Sequence, residues 1–593
     1  MLARFLTRLL ALPLLAVTLH AQADGLPPAV LQALKAAQIP AASVAVVVQP
    51  VDAATPLVAH NAAQAMNPAS VMKLLTTYAA LDLLGPAYTW KTTVWTDMAP
   101  VDGVLNGNLH IRGSGDPRFA IEHLWSLLRQ VQVRGIRQIA GDVVLDRTAF
   151  NVPAIDPGAF DDKPMRPYNV GPDGLLLNFR AMRFTLLADN GKPRVLMETP
   201  SEGLRIDNQL KSSAAECGSN WKDLVSVRLL PENAGHRLEF TGSYAALCGE
   251  KPLNLAPLPA DAQAGGLIRA LWKELGGSLG GQVRGGNVPL GARLLTQHES
   301  APLADAVRDI NKFSNNVMAR QVFLTLGNGN GGDGATPERA RQRIADWLAG
   351  RNLRFGELVL DNGSGLSRSE RISADSLNRL LLDAWKSPVM PEFVASLPIV
   401  GIDGTMKKRL KDATATGRAH IKTGTLEGVK TAAGYALDAR GRRYALAFFI
   451  NHPRAQGGSA LDGRAALARG LEIGAERGNA ADRLAGDVVD HLHVHVGVAA
   501  RDAHAGTSRR TGDLSANATM ATSQRSLLFL KLVHDNPFDL SRSRLAPSPC
   551  RPCRPCGGHA RPHSGCPCPC KAQAASWRGS QQRTGRPSAC QYR

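Results

Sequence analysis

Apolar positions along this chain change their spacing several times, and each change marks an element. Residues 42–49 read as a strand. The stretch 70–84, through Leu74-Leu75-Thr76-Thr77-Tyr78-Ala79-Ala80-Leu81, is apolar enough to be a buried helix. Ahead of it, Asn67-Pro68-Ala69 offers a capping side chain and a proline suited to a first helical turn. From about 89 to 291, alternating strand-like segments such as Leu109–Arg112 are separated by Gly, Pro and the turns Asn106-Gly107 and Asn190-Gly191, which indicates mostly β material. Helical spacing returns at 303–326 and at Pro337–Gly350. Ala419-His420-Ile421-Lys422-Thr423-Gly424 reads as an edge strand with Val429–Leu437 as antiparallel neighbour, and 444–450 supplies the next strand across a turn at Asp438-Ala439-Arg440-Gly441. After about Asp462 sustained periodicity is lost, apart from 527–533.

Three strings inside this pattern carry reactive side chains: Ser70-Val71-Met72-Lys73, Ser314-Asn315-Asn316 and Lys422-Thr423-Gly424-Thr425. At about 100° per residue, helix positions i and i+3 lie about 60° apart on one face, so Ser70 Oγ and the Lys73 amine meet within hydrogen-bond reach. Ser70 then sits at a helix N-terminus, where unpaired N–H groups and a dipole worth roughly half a positive charge favour an oxyanion. A lysine of ordinary pKa, about 10.4, is a poor proton acceptor at neutral pH. Lowering that value to about 7 costs roughly 5 kcal/mol, which burial beside a second cation could supply, and Lys422 is the candidate cation. Each string alone is weak, since Ser219-Asn220-Trp221-Lys222 and Ser515-Ala516-Asn517 repeat two of them. Context separates them: Ser219 lies in a polar stretch beside Cys217, and Ser515 falls after the K-T-G string.

The ordered set is that of serine enzymes acting on penicillins and D-alanyl peptides. On these strings the chain resembles the class C low-molecular-mass penicillin-binding proteins, the D-alanyl-D-alanine carboxypeptidase/endopeptidases. The resemblance covers roughly residues 24 to 465 and extends to Gly113-Ser114-Gly115-Asp116-Pro117, Asp361-Asn362-Gly363-Ser364-Gly365-Leu366-Ser367 and Gly401-Ile402-Asp403-Gly404-Thr405-Met406. It implies a mixed α/β fold: a penicillin-binding transpeptidase/β-lactamase-like catalytic domain with two nested, mostly β inserted domains. The 241 positions from Lys73 to Ser314 exceed what a helical subdomain needs, so the catalytic domain is expected in two pieces, 24–88 and 292–470. The resemblance places an inserted domain at 89–165 with 258–291 and an inner one at 166–257. It also implies roles. Ser70 is the nucleophile and Lys73 its base; Ser314 relays the proton to the leaving amine, and Asn316 orients Lys73 and the substrate amide. Lys422, Thr423, Gly424 and Thr425 form the substrate-binding strand, with Lys422 and Thr423 on the terminal carboxylate and the N–H groups of Ser70 and Thr425 as the oxyanion hole. No metal or organic cofactor is required.

Bulk properties narrow the class further. At 593 residues two to four domains are expected. Residues 1–23 read as a secretory signal, with Arg4 and Arg8, the apolar run 9–19, and Ala21-Gln22-Ala23 for cleavage. No later run of 18 or more apolar residues follows, so the expectation is an exported protein of the periplasm or cell envelope without a transmembrane anchor, peripheral association being left open. Of the net charge of +19, ten positive charges fall in the last 54 positions, which hold no acidic residue. A nucleic-acid partner is not expected, because no basic face interleaved with aromatics is evident. Cys217 and Cys248 stand alone in the first 549 residues and, in an oxidising compartment, are expected to form a disulfide. The other seven cysteines crowd into 550–590 among prolines and arginines, with no apolar run to fold around a metal. Residues 471–593 are expected to be disordered. Their Ala/Arg/Gly/Pro/Ser-rich composition matches an out-of-frame reading of GC-rich DNA, with a genuine extension as the alternative. His491-Leu492-His493-Val494-His495 reads as an exposed or strand-like run.

The expected partners are a peptidoglycan peptide substrate and β-lactam inhibitors, and the expected reaction is hydrolysis of stem peptides or cross-links through an acyl-serine ester. A DD-transpeptidase differs only in its acceptor, and a β-lactamase has no need of so long an interval between the first two strings. A non-enzymatic wall-binding role would follow if the altered C-terminus prevented folding.

Overall fold

The computed structural model describes residues 23–456, apart from 234, 329–333, 412–414 and 439. The expected signal before residue 23, and the tail 471–593 with its cysteines, its histidine run and Ser515, lie outside the described residues.

β-Branched and small residues build a six-stranded sheet in the order Ala23–Asp24, Val58–His60, Val44–Pro50, Arg443–Asn451, Val429–Leu437, Ala419–Leu426. All seven residues of Val44–Pro50 are buried because both faces of the sheet are covered. Ala45, Val47, Ala433, Tyr435, Ala447 and Phe449 pack on one side against Leu74, Tyr78, Val307, Ile310 and Leu377. Val46, Val48, Leu446, Phe448 and Ile450 pack on the other against Val30 and Leu34 of the helix Pro28–Ala36. The K-T-G strand lies at the sheet edge, antiparallel to Val429–Leu437, as its sequence context suggests.

Two helices differ from the pattern read in the sequence. The stretch 70–84 is a 3₁₀ turn, Ala69–Met72, running into an α-helix, Lys73–Leu84. The apolar run 303–326 is two helices, Leu303–Phe313 and Asn316–Leu326. Between them Ser314 takes the left-handed conformation at φ 58°, and the Asn315 N–H returns to the Ile310 carbonyl at 3.2 Å. Asn315 then caps the next helix by accepting the Met318 N–H at 3.1 Å. A helix stop followed at once by an N-cap breaks the backbone while the apolar periodicity runs on.

The inserted region has two parts. The outer one is a five-stranded sheet in the order Val283–Gly285, Val143–Asp146, Leu109–Arg112, Lys91–Thr96, Arg293–Glu299. Because Arg293–Glu299 pairs with Lys91–Thr96, this sheet continues past the expected boundary at 292. Helices Ile121–Val133 and Ala260–Glu274 cover it through Leu124, Leu127, Leu128, Val131, Leu267, Leu271 and Trp272, so this part is α/β in itself. The inner part is β, running from Met182–Asp189 to Lys251–Leu255 around Phe184, Leu238, Phe240 and Tyr244, with a disulfide joining Cys217 to Cys248. The decoy serine, Ser219, is exposed on this domain, and Lys222 lies over the Trp221 ring at 5.6 Å.

The segment 170–173, expected within the inner domain, braces the catalytic domain instead. Gln321 Nε2 donates to the carbonyls of Gly115 at 3.2 Å and Asp173 at 2.9 Å, its Oε1 accepts from Asp173 N at 2.8 Å, and Arg320 Nη1 donates to Val170 O at 3.0 Å. Met182 and Leu255 are direct antiparallel partners, so the inner domain enters and leaves at one point. Replacing 183–254 by a short Gly-Asn turn is therefore expected to leave the thermal unfolding of the remaining protein nearly unchanged. A deletion beginning at 166 strands the buried Gln321 and Arg320 groups, at about 1–3 kcal/mol each, and should lower the melting temperature clearly.

Candidate active site

The turn at Ser70 is set by its own backbone. Ala69 is left-handed at φ 45°, a conformation that a residue with a Cβ adopts at a cost of order 1 kcal/mol. It is held there by Asn67, whose Oδ1 accepts the Ala69 N–H at 2.9 Å and whose Nδ2 donates to Ser367 O at 3.0 Å. From this start the chain makes one 3₁₀ turn, in which side chains at i and i+3 eclipse. That alignment is closer than an α-helix gives, and it puts Lys73 Nζ 3.0 Å from Ser70 Oγ.

Lys73 is completely buried. Besides Ser70 Oγ, its Nζ bonds to Asn316 Oδ1 at 2.6 Å and, at very short range, to the carbonyl of Ser364. Burial is the main cause that holds its pKa well below 10.5, followed by the nearby Lys422 cation; Glu370 opposes the shift and Arg320 adds to it. A neutral amine has two hydrogens and one lone pair. The Asn316 and Ser364 oxygens can only accept, so they take the hydrogens and leave the lone pair facing the Ser70 hydroxyl. An amine so placed is within reach of the Ser70 proton.

Lys422 is equally buried, and burial, then Arg409, bring it down from 10.5 to about 7. Its Nζ donates to Ser314 Oγ at 2.8 Å and to Thr423 O at 2.7 Å. The left-handed turn at Ser314 is what presents that hydroxyl to the sheet edge, and one residue on it starts the helix that carries Asn316. Two sets thus form, Ser70 with Lys73 and Asn316, and Ser314 with Lys422. The threonine hydroxyls have other neighbours: Thr423 Oγ1 lies 3.4 Å from Thr405 Oγ1, and Thr425 Oγ1 accepts from Lys430 Nζ at 3.5 Å. Gly424 allows the strand to approach Ser70. A Cβ there would lie 2.8 Å from Ser70 N and 2.9 Å from Pro68 O. Thr431, opposite Gly424, ties the strands to the turn by donating to Pro68 O at 2.7 Å.

The loop 361–370 closes the site from behind. Gly365, at φ 77°, lies where a Cβ would strike the Ala69 carbonyl and come within 2.8 Å of Ser70 Cα. Ser364 as a ligand of Lys73, Asn67 as the clamp of Ala69, and the buried Arg320 and Glu370 escaped the sequence reading. The segment 361–367 entered only through the family resemblance, whereas nothing about Glu370 sets it apart from a surface residue. On the inserted side, Phe160 and Tyr168 pack beside Ala69, Leu366, Leu426 and Val429, and Arg368 lies 4.6 Å over the Phe160 ring. Among the described residues no group of three or more His, Cys, Asp or Glu is arranged to hold a metal, and no helix is long and apolar enough to cross a membrane.

With the geometry in place, comparisons with known proteins agree on one family. The model of the D-Ala-D-Ala carboxypeptidase 3 (S13) family matches residues 28–471. A D-alanyl-D-alanine carboxypeptidase of Actinomadura sp. (strain R39) is 30% identical over 431 residues, which is 68% of this chain and 76% of that protein. The D-alanyl-D-alanine carboxypeptidase DacB of Haemophilus influenzae is 26% identical over 395 residues, 66% of this chain and 82% of its own. The crystal structure of penicillin binding protein 4 (dacB) from Haemophilus influenzae superposes with a TM-score of 0.61 at 25% identity, covering 72% of this chain and 94% of that one. The same protein in complex with a β-lactam gives a TM-score of 0.59.

The electrostatics make a directional expectation. Removing the Lys422 cation favours the charged form of Lys73 and so raises its pKa. In Lys422→Ala the acid limb of the rate of β-lactam acylation should therefore move to higher pH, with the plateau about 10²–10⁴-fold lower. Lys422→Arg should rescue only part, since a planar fork does not replace a point charge. A limb that coincides with that of the unaltered protein would break the proposed coupling.

Proposed function

Because the chain belongs to the D-Ala-D-Ala carboxypeptidase 3 (S13) family, and so is a serine peptidase acting on D-alanyl-D-alanine peptides, we propose that Ser70 is the residue it acylates and Lys73 the base that frees it. The observation that carries this assignment is the set of three uncharged oxygens around the buried Lys73 Nζ, one of them Ser70 Oγ. Among the described residues no carboxylate is hydrogen-bonded to that amine to keep it charged.

In the proposed reaction Ser70 Oγ attacks the carbonyl between two D-alanines while its proton passes to Lys73 Nζ. The oxyanion gathers between the N–H groups of Ser70 and Thr425, whose strand Gly424 brings against the nucleophile turn. Ser314, hydrogen-bonded to Lys422, gives its proton to the departing amine as the C–N bond breaks and takes up the one Lys73 received from Ser70, so Lys73 is a free amine again. Lys422 and Thr423 hold the terminal carboxylate, and a charge-assisted bond is the stronger for being made by a buried cation. Water then attacks the serine ester, Lys73 takes its proton, and the acid leaves as Ser70 regains its hydrogen. When the attacked bond is a cross-link the same steps give endopeptidase action, and a penicillin that acylates Ser70 becomes an inhibitor.

Substrate on this reading is peptidoglycan, met outside the cytoplasmic membrane after export under the signal read at 1–23. Peptide beyond the scissile bond would run along the wall formed by Phe160 and Tyr168 of the inserted region. Such remote contacts can be used to align the reacting bond.

Ser70→Ala is expected to abolish both labelling by a fluorescent penicillin and release of D-alanine from a stem peptide, with an unchanged circular dichroism spectrum. Label that persists, or that peptide mapping finds on Ser219, would refute the assignment.

A further inference from the structure

Glu370 is fully buried beside the active site, and the proposed reaction makes no use of it. Its Oε1 accepts three successive backbone N–H groups, from Asp361 at 3.3 Å, Asn362 at 3.1 Å and Gly363 at 3.0 Å. Its Oε2 is buried too and has no hydrogen-bond partner among the described residues. A carboxylate so placed is costly unless something nearby benefits from it.

The turn that Glu370 closes is the one that serves Lys73. Gly363 O accepts from Thr76 Oγ1 at 2.7 Å, one turn beyond Lys73 on the same helix. Asn362 Oδ1 accepts from Ser364 N at 3.0 Å and from Ser364 Oγ at 2.6 Å, which aims the Ser364 carbonyl at Lys73 Nζ. Arg341 Nη1 holds the outer end of the turn through Asp361 O at 3.0 Å.

The charges facing the carboxyl come from several elements. Lys73 and Arg320 are basic groups on two helices, and Asp361 is an acidic group in its own loop. Seen from Lys73 the balance is lopsided: Lys422 and Arg320 disfavour its ammonium form, and Glu370 favours it. Burial raises Glu370 to about 7 against the pull of the backbone amides. When it takes up a proton its carbonyl oxygen can still accept from those amides, so the turn persists while the charge goes.

We propose that Glu370 is a positioning residue with two separable effects: its oxygen pins the Asp361–Gly363 amides and so aims the Ser364 carbonyl, and its negative charge sets the pH at which Lys73 becomes a free base. The proposal rests on Lys73 being the base for Ser70, and that reading fails separately, through label retained by Ser70→Ala.

The test is the pH dependence of the second-order rate of acylation by a fluorescent penicillin, measured on the full-length protein and two variants. Glu370→Gln keeps an amide oxygen for the three N–H groups and removes the charge. Without that charge the ammonium form of Lys73 loses support, its pKa falls, and the free amine persists to lower pH. The acid limb is therefore expected to move to lower pH by on the order of 0.5 unit, opposite to the Lys422→Ala shift. Glu370→Asp keeps the charge but is one methylene too short to reach all three amides. Its limb should stay with that of the unaltered protein while its plateau rate drops. A Glu370→Gln limb that superimposes on that of the unaltered protein, or one that moves to higher pH, overturns the proposal. Failure of Glu370→Gln to fold would leave a purely structural residue and overturns it equally.

Discussion

A buried lysine whose amine is hydrogen-bonded to three uncharged oxygens is the constraint on which the rest of this structure turns. Taking an ammonium out of water is expensive, so burial holds the Lys73 pKa well below 10.5 and favours the uncharged amine. The amine then needs two acceptors for its hydrogens and a donor for its lone pair. Asn316, Ser364 and Ser70 meet that requirement from three elements that are far apart in sequence. A helix break supplies the first, a glycine-rich loop the second and a 3₁₀ turn the third. Each of these departs from regular structure, and each departure is held in place by contacts elsewhere.

Those contacts explain the architecture around the site. The helix break at Ser314 is steadied from the inserted region, which grips Arg320 and Gln321 on the next helix. The left-handed Ala69 is locked by Asn67, and the same asparagine reaches the loop that carries Ser364. Gly365 and Gly424 let that loop and the edge strand close on the Ser70 turn from two sides. Lys422 arrives with the edge strand and does two things at once: it disfavours charge on Lys73 and holds the hydroxyl of Ser314. The inserted region, through Gly115, Val170 and Asp173, is thus part of the frame of the active site as well as a wall beside it.

Much of this was legible in the sequence because the reactive side chains lie in short ordered strings. The edge strand at Lys422 and the apolar helix after Lys73 follow from periodicity, and the split catalytic domain follows from the long interval between the first two strings. What stayed hidden has physical reasons. The break at Ser314 is a backbone event beneath an unbroken apolar pattern, so 303–326 reads as one helix. The helices Ile121–Val133 and Ala260–Glu274 lie in a region whose Gly and Pro punctuation reads as mostly β, and packing against the sheet is what fixes them. The Ser364 contribution is a carbonyl, which every residue has. Glu370 acts through burial, and burial of a lone carboxylate has no signature in residue order.

The measurement that bears most directly on this account is the titration of the Lys73 side chain in the free protein, followed by heteronuclear NMR of isotope-labelled lysine with Lys73→Arg to assign the signal. The expected result is a midpoint well below the ordinary 10.5. The same midpoint should appear in the acid limb of acylation by a penicillin. A midpoint near 10, or one unrelated to the acylation limb, would mean that Lys73 stays charged when Ser70 reacts, and the uncharged amine at the centre of this account would have to be abandoned.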